Sequence, residues 1–229
     1  GEYHYYRTGC TNGAARAGIE QRYEQLMLVI APCTPFFLTI YTLRQQMSKS
    51  KNFVTVLLLD TETTGTSHQD QIIEYAHTLF LADKNTGQVI KVLDEYSALR
   101  EPTVPITPFA QRVHGLGMDQ LIGQALDLGH IEKSLTEAQL LLAHNVSFDK
   151  RFVSSMISSA TSKEWRCTMR SVDWLSQGIA SRKMEDIIRF YNIEAQARHR
   201  AADDVRCTLT AIQQRCVLTG KPHLWQLLN

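Results

Sequence analysis

The run Phe53–Leu59 (FVTVLLL) ends abruptly in Asp60-Thr61-Glu62-Thr63-Thr64-Gly65. A short apolar segment of this kind, rich in β-branched and aliphatic side chains, reads as a strand buried on both faces. Such a strand has to lie inside a sheet that is covered on both sides, and this limits the chain to a layered fold. Its polar end carries two acids. Two residues apart on a strand, Asp60 and Glu62 face the same side. Side by side they repel one another unless a cation or a proton sits between them. Taken alone, Asp-x-Glu reads equally as a polar strand end leading to a turn at Gly65.

The pattern continues regularly from there. Ile72–Leu81 and Val89–Ala98 read as two more strands, joined by a hairpin turn at Asp83–Gly87 (DKNTG). Glu101–Pro108 holds Pro102, Pro105 and Pro108 and reads as a loop, with a short helix following at Phe109–Val113. Met118–Ser134 is expected to be mostly helical after an early Gly-marked break. Ala138–Ala143 reads as a fourth strand that ends at His144, and Phe148–Ser159 as a helix. A short strand at Trp165–Cys167 and helices at Met169–Leu175, Met184–Tyr191 and Ala201–Val217 complete the pattern. There is no internal repeat. Three strands followed by alternating helices and strands point to an α/β fold with a mixed sheet. At 229 residues, the length suits one domain plus an extension, or two small domains. The expected divisions are an extension at 1–52, the domain at 53–218 and a tail at 219–229.

The extension has a different character. Gly1–Gly18 is polar, whereas Leu26–Leu43 is an uncharged run that just reaches the length of a membrane helix. Pro32, Pro35 and three threonines argue against a membrane span, and no clear small-residue cleavage site marks a signal peptide. A packed extension is the expectation, and Met47 is a candidate natural start. The five cysteines, Cys10, Cys33, Cys167, Cys207 and Cys216, match no zinc or disulfide spacing. A reducing, cytoplasmic setting is therefore expected.

The net charge of +1 conceals an uneven distribution. Residues 1–52 carry six basic and three acidic side chains, 53–149 five and thirteen, and 150–229 thirteen and seven. An acidic centre followed by a basic segment suits a metal ion and a phosphate substrate, although chance clustering on solvated faces gives the same split.

Two further stretches bear on the acids. The fourth strand runs into His144-Asn145-Val146-Ser147-Phe148-Asp149, which places Asp149 just past a strand end, as Asp60 is. In open α/β sheets ligands collect there. Locally, Asn145 also reads as a helix cap and Asp149 as a first-turn acid that complements the helix dipole. The third stretch, His199-Arg200-Ala201-Ala202-Asp203-Asp204, sets a histidine before a helix and an acid within its first two turns.

In this order the three stretches resemble the DEDDh family of 3′→5′ exonucleases, the group that contains the proofreading epsilon subunit of bacterial DNA polymerase III. The first family motif matches Asp60 and Glu62 in DTETTG. The second matches His144, Asn145, Phe148 and Asp149 in HNVSFD, and the third matches His199, Ala201 and Asp204 in HRAADD. RVHGL at Arg112–Leu116 and WRCT at Trp165–Thr168 agree as well. The resemblance covers about Phe53 to Val217. It implies a ribonuclease H-like mixed five-stranded sheet flanked by helices. It also implies two divalent cations, Mg²⁺ or Mn²⁺, held by Asp60, Glu62, Asp149 and Asp204, with His199 as general base. Hard cations prefer carboxylate oxygens, and two of them can activate a water and stabilise a leaving oxygen. The backbone amides of Thr61–Thr64, among them Thr61, Thr63 and Thr64, are expected to meet the terminal nucleotide. His114, Leu116, Asn145 and Phe148 are expected around it.

The implied substrate is a nucleic-acid 3′ end, with DNA favoured over RNA by the DTETTG form. Lys150, Arg151, Arg166, Arg198 and Arg200 lie near the site segments and are candidate phosphate contacts. Trp165 and Trp174 are candidates for base stacking but read first as core aromatics. Alternatives are an RNA exonuclease and an inactive nucleic-acid-binding module of the same fold. A polymerase or repair partner is also considered. The apolar end HLWQLLN is expected to dock on its own domain, with a partner as the other reading.

Overall fold

Five strands form one sheet in the order β3-β2-β1-β4-β5, with β1 Phe53–Thr63, β2 Ile72–Asp83, β3 Val89–Leu99, β4 Leu140–Ala143 and β5 Glu164–Cys167. The computed structural model describes residues 52–196 and 199–229. The expectations for residues 1–51, the Leu26–Leu43 run included, lie outside them. β1 pairs antiparallel with β2, and β2 with β3. β1 pairs parallel with β4, and β4 with β5. The sheet is therefore mixed, as the order of elements implied. Among the described residues no helix is long and apolar enough to cross a membrane.

β1 is apolar without alternation because each of its faces meets a core. Val54, Val56 and Leu58 pack on one side with Ile187, Val205, Ile212 and Leu227. These come from α6 (Met184–Tyr191), α7 (Ala201–Ile212) and α8 (Leu224–Leu228). Leu57 and Leu59 pack on the other side with Ile131, Leu135, Phe152 and Val153, from α3 (Leu128–Glu137) and α4 (Val146–Met156). Two shorter helices, α1 (Pro108–His114) and α2 (Met118–Leu121), follow the proline loop. Thr107 caps α1 by accepting the Ala110 amide at 3.2 Å.

β1 extends further than its apolar run. Antiparallel pairing with β2 carries it through Thr61↔Tyr75, Glu62↔Glu74 and Thr63↔Ile72, with a register shift at Glu62/Thr63. The ladder to β4 covers only Val56–Leu58. The acidic end of β1 thus projects past its parallel neighbour.

Three expected elements are revised. The single helix at Met169–Leu175 is a short α5 (Thr168–Ser171) followed by a 3-10 turn at Leu175–Gln177. Val172 between them is extended, and the buried Trp174 donates its indole N–H back to the Thr168 carbonyl at 2.8 Å. Burying that ring breaks the helix. The last long helix stops at Ile212 rather than Val217. The chain then turns back through an Arg215↔Pro222 bridge. HLWQLLN forms the third revision, since it contains a helix, α8. Leu224, Leu227 and Leu228 are buried beside Trp174 in the main core. The Arg166 guanidinium donates to the Leu227 carbonyl at 2.7 Å. At Gly87, in the β2–β3 turn, φ is +73° and an added Cβ would come 2.5 Å from the Trp225 Cβ, so the turn and α8 meet backbone to backbone.

Leu227→Ala is expected to lower stability by about 2–5 kcal/mol, the usual range for a fully buried leucine. Urea unfolding measures it. A change within about 0.5 kcal/mol, typical of surface positions, would place α8 outside the cooperative core.

Candidate active site

Asp60 and Glu62 share the face of β1 that carries Val56 and Leu58, and so point toward α7. β2 adds a third acid there, because Glu74 stands opposite Glu62 in the register. Glu74 is buried, and its charge is met from α7. The Arg200 guanidinium donates from Nε to Oε2 at 3.0 Å and from a terminal nitrogen to Oε1 at 3.0 Å. The backbone amide of Ala201, the first residue of α7, also donates to Oε2, at 3.2 Å. One carboxylate from the sheet therefore binds both the helix N-terminus and the residue before it. Side-chain hydrogen bonding to Glu74 raises the Arg200 pKa further.

This clamp places Asp204, one turn into α7, at the end of β1. Carboxylate oxygens of Asp60, Glu62 and Asp204 all lie within 4.8 Å of one another. The adjacent Asp203 has a different role. It accepts from Arg206 Nε at 2.9 Å and from the Gln196 amide at 2.8 Å, and so secures the approach to the helix. His199 precedes the clamp and takes a left-handed backbone, φ +56°. That conformation is uncommon for a side-chain-bearing residue and persists where its surroundings impose it.

Asp149 arrives from the other side of the sheet, in the first turn of α4. It is buried, and its Oδ1 accepts the Thr61 hydroxyl at 2.9 Å. Thr61 is thus a positioning residue for Asp149.

The electrostatics follow from burial first, with crowding of like charges added at Asp60 and Glu62. Burial, then the charges of Asp149, Glu62, Asp204 and Glu74, hold the Asp60 carboxyl well above its ordinary pKa. Burial and the neighbouring Asp204, Glu74 and Asp149 push Glu62 up to about 9, with Arg200 opposing. Burial pushes Asp149 up to about 7 against the hydrogen bond from Thr61. The donors are carboxylate oxygens alone, a hard set that fits Mg²⁺ or Mn²⁺. Asp60, Glu62 and Asp204 can ligate together, and Asp149 lies beside them.

The remaining expected residues are placed as follows. Thr61 and Thr63 are strand residues paired with β2, and the Thr64 amide donates to the Gln71 carbonyl at 2.9 Å. The Thr63 hydroxyl donates to the Gly65 carbonyl at 2.6 Å and that of Thr64 to Asp70 at 2.8 Å. These threonines shape the loop after β1, and the amides expected to meet a nucleotide are in part already engaged. Leu116 is buried against Ile73 and Leu121 rather than displayed, and its amide donates to His114 Nδ1 at 3.0 Å. Burial holds His114 below its ordinary pKa, and its Nε2 makes no well-formed hydrogen bond.

Asn145 occupies the cap position of α4 without a side-chain cap bond and instead accepts the Ser147 hydroxyl at 3.1 Å. Phe148 packs against Phe152, ring centroids 5.0 Å apart. His144 is hydrogen-bonded to Thr168 Oγ1 at 2.9 Å and to the Arg182 carbonyl at 3.0 Å, and burial drives its pKa down to about 4. It is a stitch between β4 and α5.

Of the candidate phosphate contacts, Arg200 binds Glu74, Arg166 binds Glu164 and Leu227, and Arg151 donates to the Thr66 carbonyl at 2.9 Å. Arg198 lies outside the described residues. Trp174 is fully buried, and Trp165 donates to the Ala160 carbonyl at 2.9 Å. Glu74 escaped the sequence reading. Its one signal is an acid inside the apolar run IIEYAHTLFL.

Known proteins converge on the same reading. The sequence model of the exonuclease family (RNase_T) matches residues 57–212, more than half of the chain. The DNA polymerase III PolC-type protein of Thermotoga petrophila is 28% identical over 165 residues, covering 67% of this chain and 11% of the relative. The chain thus spans about a tenth of that protein's length. Exonuclease X, solved in complex with 5′ overhanging duplex DNA, superposes with a TM-score of 0.51 at 23% identity, covering 74% of this chain and 99% of that one. A 3′-exonuclease solved in 3′-end specific recognition of histone mRNA stem-loop gives a TM-score of 0.52 at 14% identity, covering 71% and 81%. With its fold, its ordered motifs and the match across most of its domain, the chain belongs to the DEDDh-type 3′→5′ exonuclease family of hydrolases.

Proposed function

We propose that this chain removes nucleotides from DNA 3′ ends by metal-dependent phosphodiester hydrolysis, in proofreading or repair. The observation that carries the reading is the convergence of Asp60, Glu62 and Asp204 from two separate elements, with Asp149 buried alongside. Asp60, Glu62 and Asp204 would hold Mg²⁺ or Mn²⁺, with Asp149 supporting a two-ion arrangement. Bound there, such ions supply charge for the attacking and leaving oxygens.

The protein's own part is positioning. The Glu74–Arg200 clamp sets Asp204 against β1, and Thr61 orients Asp149. His199 takes a proton from the attacking water, since an imidazole accepts and returns protons near neutral pH. DNA is preferred as substrate because the PolC-type relative is a DNA polymerase and Exonuclease X was solved on duplex DNA. RNA is the second reading, supported by the histone mRNA exonuclease. A DNA polymerase is the proposed partner class on the PolC-type likeness.

The crowded acids also link cation binding to folding. Glu62 and Asp149, at about 9 and about 7, bind protons more tightly than unfolded carboxylates near 4. The folded state therefore carries the extra protons. This contribution to stability is complete below about pH 4 and is lost as pH rises through 7 and 9. Buried His144 and His223, both held near 4, act oppositely, but their effect is complete by about pH 6.5. Between pH 7 and 9 the metal-free protein should therefore lose thermal stability as pH rises. Asp60→Asn should reduce the loss and raise the unfolding temperature at pH 8, and Mn²⁺ should reverse the slope. Thermal unfolding in EDTA reads this directly. A flat wild-type profile would remove the account of the site as buried, mutually repelling acids.

Digestion of matched 3′-labelled DNA and RNA strands tests the activity. Asp60→Ala should abolish Mn²⁺-dependent release of nucleotides, and undiminished release would sink the assignment. His199→Ala should lower turnover by about 10²–10⁴-fold, the range for a general base, while leaving Mn²⁺ affinity intact. An equal loss of metal affinity would make His199 a ligand instead. Faster digestion of RNA would move the substrate to the second reading.

A further inference from the structure

A second cluster of metal-binding side chains lies on the opposite face of the sheet. His77, on β2, shares the face of Tyr75 and Leu79, which packs against α3 and α4. Asp94 comes from the edge strand β3, and His130 from the first turn of α3. His77 Nε2 stands 3.1 Å from Asp94 Oδ2, and His130 Nε2 stands 2.7 Å from the same oxygen. The Ser134 hydroxyl also donates to it at 2.8 Å. Three polar groups thus converge on one carboxylate oxygen, more than its two lone pairs accept in good geometry.

The spacing is close to a coordination shell. Ligands bound tetrahedrally at 2.0–2.1 Å stand about 3.3 Å apart. Outward shifts of about 0.2 Å at His77 and about 0.6 Å at His130 would admit an ion between them. The surroundings of His77 resemble those of a metal-bound histidine, whose second ring nitrogen has a fixed partner. Tyr75 Oη lies 3.3 Å from His77 Nδ1, and the Tyr96 ring lies 4.8 Å from that of His130, centroid to centroid. Burial keeps the His77 imidazole neutral. Hydrogen bonds from His77, His130 and Ser134 outweigh burial and hold Asp94 ionised, with a pKa of about 2. Asp94 and His130 keep 28% and 37% of their side-chain surface exposed, which leaves an entry path and room for a water as fourth ligand.

We propose that His77, Asp94 and His130 form a second metal site that takes Zn²⁺ or a similar borderline transition ion and pins the edge strand β3 to α3. Two imidazoles and one carboxylate suit such an ion, whereas the all-carboxylate site suits Mg²⁺ or Mn²⁺. The two sites would therefore sort cations by donor chemistry.

Zn²⁺, titrated calorimetrically into the full chain carrying Asp60→Asn with Mg²⁺ in excess, tests this. The expected result is one Zn²⁺ bound, a rise in unfolding temperature and, with Co²⁺ in its place, visible absorption bands. His130→Ala in that background should weaken Zn²⁺ by at least about 100-fold, since even an outer partner of a metal-bound histidine is worth about 10- to 100-fold. Asp94→Asn keeps the side-chain volume and should give the same loss, so the outcome does not rest on how one variant folds. Tyr75→Phe should weaken binding by about 10- to 100-fold. Absence of Zn²⁺ binding, or affinity unchanged in both His130→Ala and Asp94→Asn, overturns the site and leaves a hydrogen-bond network.

Discussion

The grip of Arg200 and the Ala201 amide on the Glu74 carboxylate is the interaction on which the candidate active site depends. Its carboxylate is almost wholly buried, whereas Arg200 keeps about a third of its side chain exposed. A pair of this kind is a weak source of net stability, because desolvation offsets much of the attraction. Its value lies in register. It joins β2 to the N-terminus of α7, so one contact sets the height of Asp204 against Asp60 and Glu62. It also follows directly on the left-handed turn at His199. A helix shifted by one residue would present the neighbouring Asp203 in place of Asp204.

Charge takes on a different meaning once the fold is in view. The acidic middle of the chain supplies Asp60, Glu62, Glu74 and Asp149 to one end of the sheet. The basic segment after it was a candidate wall for phosphate. In the structure Arg151, Arg166 and Arg200 are engaged with carbonyls and carboxylates of the protein. Much of the positive potential for a phosphate would therefore have to come from cations held by the acids. This accords with a total near neutrality and with local capture of a strand end.

Much of the architecture was legible because local pattern reports local environment. The unbroken apolar run at Phe53–Leu59 announced a strand with a core on each face, and both cores are present. The hairpin turn at Asp83–Gly87 and the helix at Met184–Tyr191 were equally plain. Errors arose where a distant partner decides. β1 continues through its polar end because β2 pairs with it there. The helix after β5 breaks because Trp174 is drawn into the core. The tail docks on its own domain, as expected, but as a helix that completes the main core.

The sequence by itself determined the layered α/β class and the central strand, because periodicity is a property of neighbouring residues, while the resemblance of its three ordered motifs named the candidate site acids. Tertiary structure alone decided that Asp203 binds Arg206 and the Gln196 amide, that Glu74 anchors α7, that Leu116 is buried, and that His77, Asp94 and His130 meet. Those outcomes depend on strand register and on where a helix lands across the sheet. Contacts between residues tens of positions apart leave no periodic trace in the chain that makes them.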